Sequence, residues 1–316
     1  MTVLVTGAAG FVGSHLCESL LDDGFEVRGV DSFTEYYGRE RKEANLAGLR
    51  GRARFRLLEE DLATATLEPL VEDVDVVFHL AGQPGVRGSW GQDFTVYLQR
   101  NVLVTQRLLE SLRDRPVHKF VYASSSSVYG DAESLPTSET VVPRPLSPYG
   151  VTKLAGEHLC ELYRKGFAVP TASLRFFTVY GPRQRPDMAF ARLVEAATSG
   201  QPFPLYGDGS QTRDFTYVAD VVSALRRAAD SAFTGVANVG GGSRVSMRDV
   251  LSIVGELCGR PVATVDMGPQ RGDVRHTSAD TSLARYGFGY VPRTSLRQGL
   301  GAMVEYSQQA VLEGAS

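Results

Sequence analysis

Apolar residues fall into two rhythms along the chain. Short runs of apolar and β-branched residues, at 2–6, 27–31, 74–81, 120–124 and 171–176, alternate with longer stretches in which apolar positions recur at helical spacing, at 11–21, 97–112 and 151–164. Strands that are apolar on both faces must be covered on both sides, and helical crossovers are the connection that parallel neighbours require. The pattern therefore predicts an α/β fold, a Rossmann-type doubly wound parallel sheet with a smaller C-terminal substrate-binding region.

Beyond residue 177 the texture changes to loops rich in Gly, Pro, Arg and aromatics, with helical pieces at 188–199 and 247–258. Residues 1–176 are expected to form the dinucleotide-binding domain. Residues 177–316 are expected to form mainly the substrate-binding region, with 215–240 returning a helix and a strand (218–229, 236–239) to the main sheet.

With 316 residues, 43% of them hydrophobic, the chain can bury a full core, which excludes a disulfide-stapled or disordered protein. A formal charge of -3 offers no global attraction to nucleic acid or anionic lipid. The three cysteines, Cys17, Cys160 and Cys258, form no CxxC pair and no metal-ligand spacing. Reduced thiols, no metal site, no export signal, no membrane span and a cytoplasmic location are the expectations.

The first strand runs into Gly7-Ala8-Ala9-Gly10-Phe11-Val12-Gly13 and then into a helix. Glycines there permit a tight turn and close backbone approach to a pyrophosphate, while the helix N-terminus supplies unpaired N–H groups and a positive dipole end. Asp31 closes the second strand, 18 residues after Gly13, where its carboxylate can accept from the adenosine ribose hydroxyls. It would repel a 2'-phosphate, so NAD is favoured over NADP, although Arg39 and Arg41 lie near in sequence. Asp61-Leu62 and Leu80-Ala81-Gly82 end further apolar runs and are candidates to border the adenine and the nicotinamide ribose; ordinary strand-end turns read the same way.

Tyr149 and Lys153 lie four apart at the start of a helix, after Pro148, and so share one face. A phenol of pKa about 10 is a poor base at neutral pH, and a neighbouring ammonium would favour the phenolate. Taken with the glycine turn, this YxxxK pair resembles the extended short-chain dehydrogenase/reductases of the NAD-dependent epimerase/dehydratase family, over nearly the whole chain. The resemblance implies that tightly held NAD oxidises and re-reduces C4 of a nucleotide sugar through a transient 4-keto form. It makes Tyr149 the acid/base, and makes Lys153 its tuning group and the holder of the nicotinamide ribose. Asn101 is a further candidate cofactor contact.

In Ser124-Ser125-Ser126-Ser127-Val128-Tyr129-Gly130, Ser125 matches the family's hydroxyl that bonds the reacting sugar oxygen, with Ser126 the neighbouring candidate. Related dehydratases carry an Asp-Glu pair just after that hydroxyl, and decarboxylases keep a Glu. Here Ser126 and Ser127 stand in those positions, which argues against both reactions.

Arg213 and Arg271 resemble the family's arginines for the substrate pyrophosphate, Tyr206 lies in the segment that packs on the base, and Arg192 borders the same groove. The stretch from Arg175 to Met188, with Tyr36-Tyr37 and Gln83-Pro84-Gly85-Val86-Arg87, looks most like UDP-glucuronate 4-epimerases. That likeness makes Thr178 and Arg185, and more weakly Arg87, candidates for gripping the C5 carboxylate. UDP-glucose 4-epimerase and UDP-glucuronate decarboxylase are the alternatives. Family members usually dimerise through two helices, here 97–112 and 151–164.

Overall fold

The computed structural model describes residues 1–132, 134–268 and 274–314, the side chains of 311–314 excepted. Seven parallel strands form the central sheet. The first half of the chain supplies β1 (Thr2–Thr6), α1 (Phe11–Asp22), β2 (Glu26–Asp31), α2 (Arg39–Asn45), β3 (Phe55–Glu59), the single turn α3 (Glu68–Val71) and β4 (Val76–His79). Next, α4 (Phe94–Tyr97) passes through a π-helical segment, Leu98–Leu103, into α5 (Val104–Leu112), and β5 (Lys119–Ser125), α6 (Pro148–Phe167) and β6 (Thr171–Phe176) follow.

The remainder alternates short strands with helices: β7 (Val179–Tyr180), α7 (Ala189–Ser199), β8 (Phe203–Leu205), β9 (Thr212–Asp214), β10 (Thr216–Tyr217), α8 (Val218–Asp230) and β11 (Gly235–Val239). It ends with β12 (Arg244–Ser246), α9 (Met247–Leu257), β13 (Thr264–Asp266), α10 (Ser282–Phe288) and α11 (Leu296–Gly314).

The sheet order is β11-β6-β5-β4-β1-β2-β3, so the chain runs outward from β1 in one direction, then returns to its other side through β4. Reversal of direction between β1 and β4 opens a crevice at the carboxyl ends of those strands. One face of the sheet packs on α1, α8 and α10 through Leu16, Leu20, Val221, Leu225 and Phe288; the other packs on α5 and α6 through Leu108, Leu109, Leu112 and Cys160. Residue 156 must be glycine for α6 to lie this close to the sheet, because a Cβ there would run into the Tyr122 hydroxyl of β5.

A third core, built on Tyr180, Phe190, Leu193, Phe215, Val250 and Leu300, holds α7, α9 and α11 together beside the sheet. Strands β7 with β10, β9 with β12 and β8 with β13 make three two-stranded ladders in this region. Such short pieces carry too few residues to show a periodicity, which is why the sequence reads there as loop.

Candidate active site

The glycine turn sits at the crevice, directly after β1. Gly7 has φ +72°, and a Cβ there would lie 2.9 Å from the Ala81 nitrogen; a Cβ at Gly13 would run into the Gly7 carbonyl oxygen. Side chains at these positions would therefore push α1 away from the sheet edge. Gly7, Asp31, Ser32, Lys42, Asp61, Leu62, Ala81, Gly82 and Gln83 line one cavity, which also takes in Val104 and Arg100. A helix N-terminus, a glycine-lined wall and a carboxylate at the second strand end fit a dinucleotide.

Asp31 is buried and accepts from the Ala9 nitrogen (3.2 Å), the Phe33 nitrogen (2.9 Å) and Lys42 Nζ (3.0 Å). Its ion pair with Lys42 is 7% and 6% exposed. The cation at this corner is thus Lys42. Arg39 instead pairs with Glu59 and covers the Phe33 ring, while Arg41 lies in a different groove. Sequence distance alone had pointed to the two arginines, and the missed signal is the helical turn that swings residue 42 inward. Asp61 forms a turn with the Ala63 nitrogen (2.9 Å), and Leu62 is buried beside it.

Asn101 does not present a free amide to the crevice. Its side chain is buried, accepts from the Gln83 nitrogen (2.7 Å), and donates to the Gln83 oxygen and Thr152 Oγ1 (3.0 Å each). It fixes the loop that follows β4, helped by Arg100 on Gln83 Oε1 (2.8 Å) and by the Tyr97 hydroxyl on the Pro84 and Gly85 oxygens. Below that loop, His79 bridges Thr6 Oγ1 (2.8 Å) and Thr105 Oγ1 (3.0 Å). Burial and the Lys153 charge hold it neutral, pushed down to about 3.

Helix α6 starts where the sequence signals it should. Ser147 caps it by accepting from the Gly150 nitrogen (3.1 Å), and Pro148 stands in the first turn. Tyr149 and Lys153 share its inner face. Lys153 Nζ donates to the Ala123 oxygen (2.9 Å) and lies 5.1 Å over the Tyr122 ring. Burial lowers its pKa to about 8, opposed by Cys160 and Glu157.

The expected depression of Tyr149 by Lys153 is not what the chain by itself produces. Burial pushes the Tyr149 phenol up, opposed by a hydrogen bond with Ser125 and by the charge of Arg185. The physical reason is that Lys153 is turned to a backbone carbonyl, and Arg185 is the cation felt at the phenol. Ser125 also accepts from the Ser127 nitrogen (3.1 Å). Of the two serine candidates, Ser125 is the one whose hydroxyl acts on the Tyr149 phenol, favouring its ionised form.

On the opposite wall, Arg185 bonds Asp187 through Nε and Nη2 (3.0 Å each) and lies 5.8 Å over the Tyr36 ring, whose hydroxyl donates to Asp187 (3.2 Å). Thr178 is half-buried, its oxygen accepting from the Thr216 nitrogen (2.9 Å). Arg87 is exposed and lies 4.4 Å over the Tyr206 ring, so a loop of the sheet half touches the C-terminal half there. Arg213, on β9, donates to the Thr212 and Arg275 oxygens, and Arg192, on α7, is half-buried. Arg271 lies outside the described residues. The sequence reading did not single out Asp187 or Glu157; acidic residues partnering a basic motif position leave no periodic signal.

Among the described residues no helix is long and apolar enough to cross a membrane, and no group of His, Cys, Asp and Glu is placed to hold a metal. Residues 3–240 match the model of the NAD dependent epimerase/dehydratase family. The chain is 45% identical over 309 residues to the UDP-glucose epimerase YtcB of Bacillus subtilis (strain 168), itself uncharacterized, covering 97% of this chain and 98% of that protein. It is 34% identical to the UDP-glucuronate 4-epimerase of Thermodesulfobacterium geofontis (strain OPF15), covering 98% and 96%. Among solved structures, the UDP-glucuronic acid 4-epimerase of Bacillus cereus, in complex with UDP-glucuronic acid and NAD, superposes with a TM-score of 0.95 at 44% identity, covering 98% of this chain and all of that one.

Proposed function

Because the chain belongs to the NAD-dependent epimerase/dehydratase family, and so is an isomerase that works with NAD, we propose that it interconverts UDP-glucuronate and UDP-galacturonate by inverting C4. The observation that carries this reading is the Arg185 guanidinium, held on the wall of the crevice where Tyr149 feels its charge. A fixed cation beside the acid/base suits a sugar that carries a carboxylate next to its reacting carbon.

NAD, when bound, supplies the reversible oxidation and reduction at C4. Gly7, Gly10 and Gly13, with the N–H groups of Phe11 and Val12, would hold its pyrophosphate; Asp31 with Lys42 would hold the adenosine ribose; Lys153 would hold the nicotinamide ribose. As phenolate, a form the cationic nicotinamide ring of bound NAD would favour, Tyr149 Oη would accept the proton of the C4 hydroxyl and give it back when C4 is reduced from the other face. Ser125 Oγ donates to the same C4 oxygen and keeps it within reach of the phenol. Asp61, Leu62, Leu80, Ala81 and Gly82 border the cofactor. Arg213 neutralises the substrate pyrophosphate, Tyr206 and Arg192 flank the base, and the sugar turns over between the two halves of the reaction.

Thr178 and Arg185 hold the carboxylate. A 4-keto glucuronate is a β-keto acid that loses carbon dioxide when its carboxylate bond aligns with the carbonyl π-system. A grip that prevents this alignment protects the intermediate. A second reading, UDP-glucose as substrate, is favoured by the clamp of Asp187 on Arg185, which offsets the charge a carboxylate would meet.

The test is incubation of the purified enzyme with UDP-glucuronate, without added cofactor, with products followed by NMR. UDP-galacturonate with its carboxylate retained is the expected product. A UDP-pentose with released carbon dioxide means decarboxylation; turnover of UDP-glucose alone transfers the assignment to neutral sugars. The working form is a cytoplasmic homodimer that buries Leu98, Leu103, Val151, Leu162 and Phe167, apolar residues left exposed along the α4–α5 segment and α6. Light scattering giving a monomer mass would remove the dimer.

A further inference from the structure

Behind the serine strand lies a buried ion pair that the reaction as described does not use. Glu157 and Arg175 are 4% and 5% exposed and are joined twice, from Arg175 Nε (2.9 Å) and Nη2 (2.7 Å). The Ser124 hydroxyl donates to the same carboxylate, and Arg175 lies 4.6 Å over the Tyr129 ring, whose hydroxyl donates to Asn238 Oδ1 (2.7 Å). Burying such a pair adds little net stability compared with apolar side chains of similar size. Stability alone therefore does not account for it.

Its place in the fold does. Tyr149, Lys153 and Glu157 recur every four residues on the inner face of α6, and the last two bond the end of β5: Lys153 at the Ala123 oxygen and Glu157 at Ser124, with Ser125, next along the strand, acting on the Tyr149 phenol. Two adjacent strand residues, Ala123 and Ser124, are latched to two successive turns of the helix, and Arg175 ties the second latch to β6. We propose that Glu157 is a positioning residue which, through Arg175 and Ser124, fixes the register of α6 on β5 and so the reach of Tyr149 and Lys153. The inference rests on the reading of Tyr149 as the acid/base.

The same carboxylate has an electrostatic consequence at Lys153. The titratable groups facing that ammonium are Glu157 and Cys160 from its own helix, Tyr122 from β5 and His79 from β4, with Arg175 of β6 behind Glu157. Glu157 favours the protonated lysine, against a burial that pulls it down to about 8. Removing the carboxylate therefore lets Lys153 lose its proton at lower pH, and the alkaline limb of the rate moves down.

The experiment compares Glu157→Gln, Ser124→Ala and the double variant Glu157→Met/Arg175→Met with the native enzyme. It is run on whichever UDP-sugar the native enzyme epimerises, with melting temperature and bound NAD measured on each. Glu157→Gln is expected to lower kcat at least about tenfold with KM within about twofold, because misplacing reacting groups slows chemistry more than binding, and to move the alkaline limb to lower pH. Ser124→Ala is expected to lower kcat less and to leave the limb in place. The double variant removes both charges and is expected to fold, yet to turn over slowly. Native kcat in the folded, NAD-loaded double variant, or in Ser124→Ala should neither charge variant fold, overturns the proposal. So does an alkaline limb unmoved in a folded Glu157→Gln. A Tyr149→Phe enzyme with native turnover would instead overturn the underlying reading of the site.

Discussion

At the cofactor end of the crevice, the charged groups are paired in the interior: Asp31 and Lys42 are 7% and 6% exposed, and Asp31 also takes two backbone N–H bonds. At the sugar end, Arg185 and Asp187 are 19% and 40% exposed, and Arg87 reaches across to Tyr206 at the surface. The first wall is made by strands and helix ends whose positions the sheet fixes. The second is made by side chains on connecting loops, Arg185 and Asp187 between β7 and α7 and Arg87 after β4, with Asp187 and Arg87 open to water.

That contrast can be broken or sharpened by substitution. The largest effect belongs to the group that serves both walls. Tyr149→Phe removes the proton carrier and is expected to lower kcat by about a thousandfold, in the range general acid–base groups contribute, with the melting temperature unchanged; an NMR time course measures it. Next is the sugar wall. Arg185→Ala is expected to reduce the preference in kcat/KM for UDP-glucuronate over UDP-glucose by about tenfold to a hundredfold, the worth of a charged hydrogen bond at about 1.5–3 kcal/mol. An unchanged preference would remove Arg185 as the carboxylate grip.

On the cofactor wall, Asp31→Asn leaves Lys42 facing the ribose without its counter-charge. Calorimetric titration of the cofactor-stripped protein should find NAD binding weakened by about tenfold and NADP binding strengthened, consistent with charge-assisted bonds of about 1.5 kcal/mol. The smallest effect is expected at the surface contact. Arg87→Ala should raise KM for the UDP-sugar by about twofold to fivefold, as an exposed cation–π contact of about 0.5–1 kcal/mol allows, with little change in kcat. A large loss of kcat there would mean that Arg87 touches the reacting sugar.

The pH profile bears on the same comparison. Lys153 is drawn down by burial to about 8, so its charge is complete below that pH and lost above it. If the ammonium holds the ribose, NAD retention and kcat should both decline as pH rises through about 8, measured by cofactor release and by initial rates. His79, pushed down to about 3 by burial, works in the other direction on stability. The unfolded chain takes up that proton below about 6.5 while the folded one does not, so stability is expected to fall as pH drops from there.

Much of this molecule is written in local pattern. A five-residue run of apolar and β-branched residues, a glycine turn and a helix with Leu16 and Leu20 on one face must form the first unit, because 2- and 3.6-residue periods admit few other arrangements. The same local logic gives the Ser147-Pro148 start of α6 and hence the shared face of Tyr149 and Lys153. The sequence by itself therefore determined six of the seven strands of the sheet, all but β3, together with the nucleotide crevice and the residue types able to carry a proton. Which charges meet was decided by tertiary structure alone: Lys42 rather than Arg39 or Arg41 at Asp31, Arg185 rather than Lys153 at the Tyr149 phenol, Glu157 against Arg175 from another strand. Periodicity is a property of neighbours along the chain. Electrostatic partnership depends on distance and burial, and those exist only once the sheet has brought remote segments together.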